Sequence, residues 1–124
     1  MTLNEYQNKA MSTCMVSCDN FSYMFLNLVG EVGELASKVA KDIRKGNAYI
    51  GGGRNLSYSD FPELSQHEVE LMKEAGDILW QLSGLCKVMG WSLEDVAQAN
   101  LDKLQARKQA GTIDGNGDGI YDRT

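Results

Sequence analysis

Signals for the beginning and the end of helices recur along the whole sequence. Thr2, Ser65 and Ser92 are each followed three residues later by an acidic residue, a pattern typical of a helix N-terminus. Proline occurs once, and the glycines cluster between helical segments, where they end helices. The predicted helices are a short one opening at Thr2, a long one over 21–45, one from Ser65 to near Gly90, and one from Ser92 to about Ala110.

The remaining segments are rich in glycine. Residues 46–60 are predicted to form a loop, and residues 111–124 a flexible, glycine-rich tail. No alternating strand pattern competes with the helical one, and 124 residues are enough for one domain with one core. We therefore predict an all-α, four-helix bundle over residues 1–110, followed by the tail.

The composition argues against several classes of protein. With a net charge of −5, the chain lacks the basic stripe typical of nucleic-acid-binding modules. No apolar run is long enough to span a membrane, and no secretory signal is visible. The cysteines (Cys14, Cys18 and Cys86) form no CxxC pair, which favours free thiols in a reducing cytoplasm. An acidic protein can still bind a phosphate substrate when a cation lies between them.

Acidic residues border the apolar stripes of the two long predicted helices. The stripe of the first comprises Phe21, Phe25, Leu28, Val32, Leu35, Ala36, Val39 and Ile43, with Asn27, Glu31, Glu34 and Lys38 along one shoulder. The stripe of the second comprises Leu71, Ala75, Ile78, Leu79, Leu82, Leu85, Cys86 and Met89, with Glu74, Asp77 and Gln81 along one shoulder. If the helices pack antiparallel, the four acids converge into a magnesium or manganese site. A solvated acidic surface is the alternative interpretation.

Two further features depart from a simple amphipathic pattern. Trp80 lies nearly opposite its core stripe, which favours a contact with another subunit; contact with a nucleotide base or packing under the 46–60 loop are the alternatives. Asn100 falls inside the apolar stripe of the last helix, with Lys103 and Arg107 on the same side. One interpretation of this column is a ligand-binding surface. The other is structural: the Asn100 amide bonds to another helix, and the aliphatic stems of Lys103 and Arg107 lie on apolar surface.

Two segments carry a resemblance to a known family. They are GEVGELASKVAKDIRKG (30–46) and KEAGDILWQLSGLCKVMGWSLEDVAQANLDKLQAR (73–107). Together they resemble the MazG-like, all-α nucleoside triphosphate pyrophosphohydrolases, especially the short single-domain members of phages and bacteria. The likeness extends from about residue 21 onward, and the opening LNEYQ is similar to the first helix of the family.

The resemblance implies roles for particular residues. The family pattern is EExxE followed by ExxD, and its acids bind magnesium; the matching residues are Glu31, Glu34, Glu74 and Asp77, while Gly30 stands at the leading acid. The AN-x-x-KL segment matches positions that contact the nucleotide, which makes Asn100 and Lys103 substrate candidates. Arg107 and Lys38 are further substrate-binding candidates.

The implied reaction converts a (d)NTP to the (d)NMP and pyrophosphate. Magnesium neutralises the phosphates, a metal-activated water attacks the α-phosphate, and Lys103 stabilises the developing charge. Glu34 is the candidate for orienting the water. The family also implies a homodimer or homotetramer, in the cytoplasm of the host if the gene belongs to a phage.

Other functions are consistent with the same residues. Within the class, the substrate is alternatively phosphoribosyl-ATP, dUTP or dCTP. A non-catalytic helical oligomer that binds nucleotide as a sensor is the alternative outside the class. Residues 114–122 imitate the start of a calcium loop but lack the acid at its twelfth position. His67, the single histidine, is predicted to be solvated at a helix start.

Overall fold

Four α-helices account for most of the backbone that the structure describes. The computed structural model describes residues 1–51, 56–58 and 65–112. Its helices are α1 (Leu3–Met11), α2 (Phe21–Arg44), α3 (Gln66–Val88) and α4 (Leu93–Ala110), with a short 3₁₀ helix at Val16–Cys18. Two short strands, β1 (Ala48–Ile50) and β2 (Leu56–Tyr58), lie between α2 and α3. The all-α prediction is therefore confirmed, with one small antiparallel hairpin added to it.

Side-chain caps begin each of the four helices. Thr2, Ser65 and Ser92 accept hydrogen bonds from the backbone N–H groups three residues later, at 3.0–3.1 Å, as the sequence predicts. Asn20 caps α2 in the same way, accepting from the Tyr23 N–H at 2.8 Å. This cap was not predicted, because the residue three positions after Asn20 is a tyrosine and completes no acidic capping pattern.

The two long helices pack antiparallel. Contacts between them join Met24 to Gly84 near one end and Lys38 to Glu70 towards the other. Residue numbers therefore rise along α2 as they fall along α3. Met24 is fully buried, and an added Cβ at Gly84 would overlap its Sδ and Cε atoms, so a larger residue at Gly84 would force the Met24 side chain to move.

The prediction that residues 46–60 form only a loop is wrong in part. β1 and β2 pair with Tyr49 opposite Ser57. Tyr58 is buried, and its hydroxyl donates to Asp42 Oδ2 of α2 at 2.8 Å, so burial and this hydrogen bond raise the pKa of Tyr58. Three-residue strands are too short to show alternation, so the sequence gives no sign of this hairpin.

His67 lies in the first turn of α3 with 43% of its side chain exposed, and it also has two neighbours within the chain. Its ring stacks on Tyr58 with centroids 5.7 Å apart, and Nδ1 lies 3.5 Å from Asp42 Oδ1. Asp42 therefore connects the C-terminal end of α2 to both the hairpin and the first turn of α3.

The first helix covers a face of α3 that the sequence assigned to another subunit. The Trp80 indole N–H donates to Ala10 O and Thr13 Oγ1, both at 3.0 Å, so its neighbour is α1 of the same chain. Trp80 thus has a neighbour within its own chain, and its contact with another subunit stays a prediction. Gln7 of α1 is also buried: it donates to Ser83 O and Trp91 O and accepts from the Leu93 N–H, which fixes the start of α4.

The apolar stripes predicted to form the core are largely exposed in the single chain. The large exposed members of the two stripes on α2 and α3 are Phe21, Phe25, Val32, Ile43, Leu79, Leu82 and Met89. On α4, the apolar residues Leu101 and Leu104 are exposed too. Asn100, predicted to lie within an apolar face, is exposed as well. Periodicity thus identified the apolar faces correctly, but not what covers them.

Some sequence-based predictions fall outside the described ranges. These are the calcium-like segment 114–122, nearly all of the 111–124 tail, and residues 52–55 and 59–60 of the predicted loop. Within the described ranges, no helix is both long enough and apolar enough to cross a bilayer.

Candidate metal centre

Three carboxylates from two helices come together between α2 and α3. Glu31 projects from α2, and Glu74 and Asp77 project from α3 one helical turn apart. One oxygen atom from each lies within 4.8 Å of the others. The antiparallel packing of α2 and α3 produces this convergence, as the sequence predicted for its four acids.

The cluster is electrostatically unfavourable as an isolated group of acids. Burial raises the pKa of Glu31, and the Glu34, Asp77 and Glu74 carboxylates raise it further. Glu31 Oε2 and Glu74 Oε2 are both buried and have no hydrogen-bond partner within the described structure. Burying a carboxylate oxygen without a hydrogen-bond partner costs free energy. A cation placed between these oxygens would supply the missing contact and offset the repulsion between the carboxylates.

The residues present fit a hard divalent cation. All the donor atoms are carboxylate oxygens, the type that Mg²⁺ and Mn²⁺ prefer. Around an ion bound at about 2.1 Å, octahedral oxygens lie up to about 4.2 Å apart. The observed limit of 4.8 Å slightly exceeds this spacing, so a small movement of the side chains would be needed to bind such an ion.

Glu34 lies beside this cluster and is not one of its three members. It is exposed on α2, one turn after Glu31, and its carboxylate raises the pKa of Glu31. Of the four acids named from the sequence, three therefore converge and the fourth lies at the solvent-exposed rim.

The predicted substrate residues occupy two helices. Lys38 follows Glu34 by one turn of α2 and is half-buried, with Nζ 4.0 Å from Glu70 Oε2. Asn100 and Lys103 are exposed on α4, and Arg107 is partly buried there. Since the described cluster draws only on α2 and α3, the α4 column lies outside it.

Sequence reasoning gave no role to three residues around the acids. Asn27 donates to Gln81 Oε1 at 2.6 Å and lies 3.5 Å from Glu31 Oε1, so an amide adjoins the cluster. Burial and the Asp77 charge raise the pKa of Tyr6, which places α1 within electrostatic reach of the acids. Asn27 and Gln81 already lay on the same predicted shoulders as the acids, which was the available signal for them.

Comparison with known proteins agrees with this arrangement. The model of the MazG nucleotide pyrophosphohydrolase domain matches residues 20–112, which contain α2, α3 and α4. The chain is also 34% identical over 125 residues to the Gene 37 protein of Mycobacterium phage L5, covering 95% of this chain and 98% of that protein. No solved structure gives a significant match. The family match and the convergence of Glu31 with Glu74 and Asp77 agree: the chain belongs to the MazG nucleotide pyrophosphohydrolase family.

Proposed function

We propose that this protein is a magnesium-dependent nucleotide pyrophosphohydrolase that converts a (d)NTP to the (d)NMP and pyrophosphate. The observation that carries the proposal is the cluster of Glu31, Glu74 and Asp77, whose oxygens lie within 4.8 Å of one another. Two of its buried oxygens have no hydrogen-bond partner in the described structure, and a divalent cation would satisfy both.

The acidic charge of the chain is consistent with this chemistry. A triphosphate would be repelled by three clustered carboxylates on a protein with a net charge of −5. Bound magnesium supplies positive charge to the phosphates and activates the attacking water. The acids thus serve to hold a cation rather than to bind the nucleotide directly.

The surrounding residues supply the remaining functions. Glu34 is exposed at the rim and one turn from Glu31, where it orients the attacking water and accepts its proton. Lys38 lies one turn further along α2 and binds phosphate oxygens. Asn100, Lys103 and Arg107 of α4 form a second substrate-binding surface.

A panel of nucleoside triphosphates tests the proposal. In the presence of Mg²⁺, the protein should release pyrophosphate from at least one (d)NTP, and chelation with EDTA should stop the release. Mn²⁺ should substitute for Mg²⁺, since both ions take oxygen ligands. Nucleotide binding without any product would support a sensor and contradict the enzyme.

We propose that the protein is a homodimer or homotetramer. The supporting observation is the exposure of large apolar side chains along α2, where Phe21 and Phe25 stack on each other while both remain about half exposed. A monomer rarely leaves a continuous apolar face of this kind in water. A second copy that covers this face would also bring additional helices towards the acidic cluster.

Light scattering should therefore report a mass that is a multiple of 13.7 kDa at micromolar concentration. Phe25→Glu should weaken the assembly by roughly ten- to a hundredfold, because burying one phenyl ring contributes about 1.5–3 kcal/mol. Val16→Glu is the matched control, since Val16 is 95% exposed in the 3₁₀ helix and outside the stripes. A monomeric wild-type protein would contradict the proposed assembly.

A further inference from the structure

A buried amide joins α2 to α3 next to the acidic cluster. Gln81 is only 3% exposed. Its Oε1 accepts from Asn27 Nδ2 at 2.6 Å, and its Nε2 lies 3.5 Å from both the backbone oxygen and the Sδ atom of Met24. Both ends of the Gln81 side chain therefore contact α2.

The orientation of both amides is fixed by groups that can only accept. The Met24 carbonyl accepts, so the nearer end of Gln81 must be its NH₂ group, and its oxygen then faces Asn27. Asn27 must in turn present its NH₂ group, which also faces the Glu31 carboxylate 3.5 Å away. The donations are therefore free of conflict: Asn27 donates to both Glu31 and Gln81, and Gln81 donates to the Met24 backbone oxygen of α2.

The two oxygens of Glu31 consequently have different surroundings. Oε1 faces the Asn27 amide, whereas Oε2 is buried without a hydrogen-bond partner in the described structure. Asn27 precedes Glu31 by one helical turn and is itself held by the short bond to Gln81. Rotation of the Glu31 carboxylate away from this arrangement would break its contact with the amide.

We propose that Asn27 and Gln81 are a positioning pair that orients Glu31 as a ligand, with Gln81 acting through Asn27. This inference rests on the proposed metal site. Hydrogen bonds behind a ligand set its orientation, and their loss typically weakens metal binding about ten- to a hundredfold. A purely structural amide contact would stabilise the helix pair without affecting the ion.

The test is the dissociation constant for Mg²⁺, measured by titration calorimetry without nucleotide. Asn27→Leu should raise this Kd about ten- to a hundredfold. Gln81→Leu should also raise the Kd for Mg²⁺. The double variant should bind Mg²⁺ no more weakly than Asn27→Leu alone. In hydrolysis assays, Asn27→Leu should need more Mg²⁺ for half-maximal rate and recover most of its kcat at saturating Mg²⁺.

Ser83→Ala is the matched control. It removes a buried hydroxyl of α3, which donates to Leu79 O at 2.7 Å, and should leave the Kd for Mg²⁺ unchanged. If Asn27→Leu does not fold, Asn27→Ala makes the same comparison with a smaller side chain of high helix propensity. Wild-type affinity in the folded Asn27 variant would overturn the positioning pair and leave the metal site intact. A wild-type protein that binds no Mg²⁺ would overturn both.

Discussion

Glu74→Gln and Asp77→Asn should each reduce magnesium-dependent pyrophosphate release by at least about a thousandfold, equivalent to about 4 kcal/mol of activation free energy. Each substitution keeps the size of the side chain and removes one negative charge from a cluster whose oxygens lie within 4.8 Å of one another. Neutral amides are much weaker ligands for Mg²⁺ than carboxylates. The assay is the initial rate of pyrophosphate release on the preferred triphosphate.

Glu94→Gln is the control for these variants. Glu94 is exposed in the first turn of α4, where it accepts from the Asn4 side-chain amide at 3.0 Å. It is outside the acidic cluster, so its replacement should leave the rate close to that of the wild type. Circular dichroism should show the same helical content in all the variants. Near-normal turnover in both Glu74→Gln and Asp77→Asn would contradict the site.

Glu31→Gln should abolish the activity and yet raise the melting temperature of the metal-free protein at neutral pH. Burial and three neighbouring carboxylates raise the pKa of Glu31 above its ordinary value. The ionised side chain therefore destabilises the folded state, because folding then favours the protonated form. A neutral glutamine removes the repulsion, so melting in EDTA at neutral pH should occur a few degrees higher than in the wild type.

The sign of the pH dependence follows from the raised pKa. Above the folded-state pKa of Glu31 the full destabilisation is present, and it disappears as the pH falls through that pKa towards the unfolded value of about 4.3. The difference in melting temperature between Glu31→Gln and the wild type should therefore be largest at neutral pH and vanish below about pH 4.3.

Added Mg²⁺ provides the complementary measurement. It should raise the melting temperature of the wild type, since a ligand that binds only the folded state stabilises it. The Glu31→Gln variant should show little or no such rise. Two results would show that Glu31 has no part in an ionic cluster. One is a Glu31→Gln variant that melts below the wild type in EDTA, and the other is a variant whose melting temperature rises with Mg²⁺ as much as that of the wild type.

Local rules were sufficient to predict the helices. Each cap depends on a side chain three residues from the N–H that it accepts from, and Ser65 and Ser92 show this directly. Helical periodicity likewise placed Glu74 and Asp77 on one shoulder of α3, beside its stripe. The convergence with Glu31 required only one non-local assumption, the antiparallel packing of α2 and α3.

Features that depend on tertiary contacts could not be predicted in this way. Nothing near Asp42 in the sequence shows that it binds Tyr58, sixteen residues further along the chain. Similarly, Trp80 was correctly placed off the core stripe, but periodicity carries no information about which element covers an apolar surface, and the answer was α1. The exposure of Phe25 could not be predicted for the same reason, since an apolar stripe that faces solvent in a single chain has the same sequence pattern as a buried stripe.

Hydrolysis in water enriched in oxygen-18 tests the central claim most directly. The preferred (d)NTP is incubated with the wild-type protein and Mg²⁺, and the products are analysed by mass spectrometry. Attack of water at the α-phosphate predicts one labelled oxygen in the nucleoside monophosphate and none in the pyrophosphate. Label in the pyrophosphate, label in inorganic phosphate released with a nucleoside diphosphate, or no product from any triphosphate would contradict the proposed function.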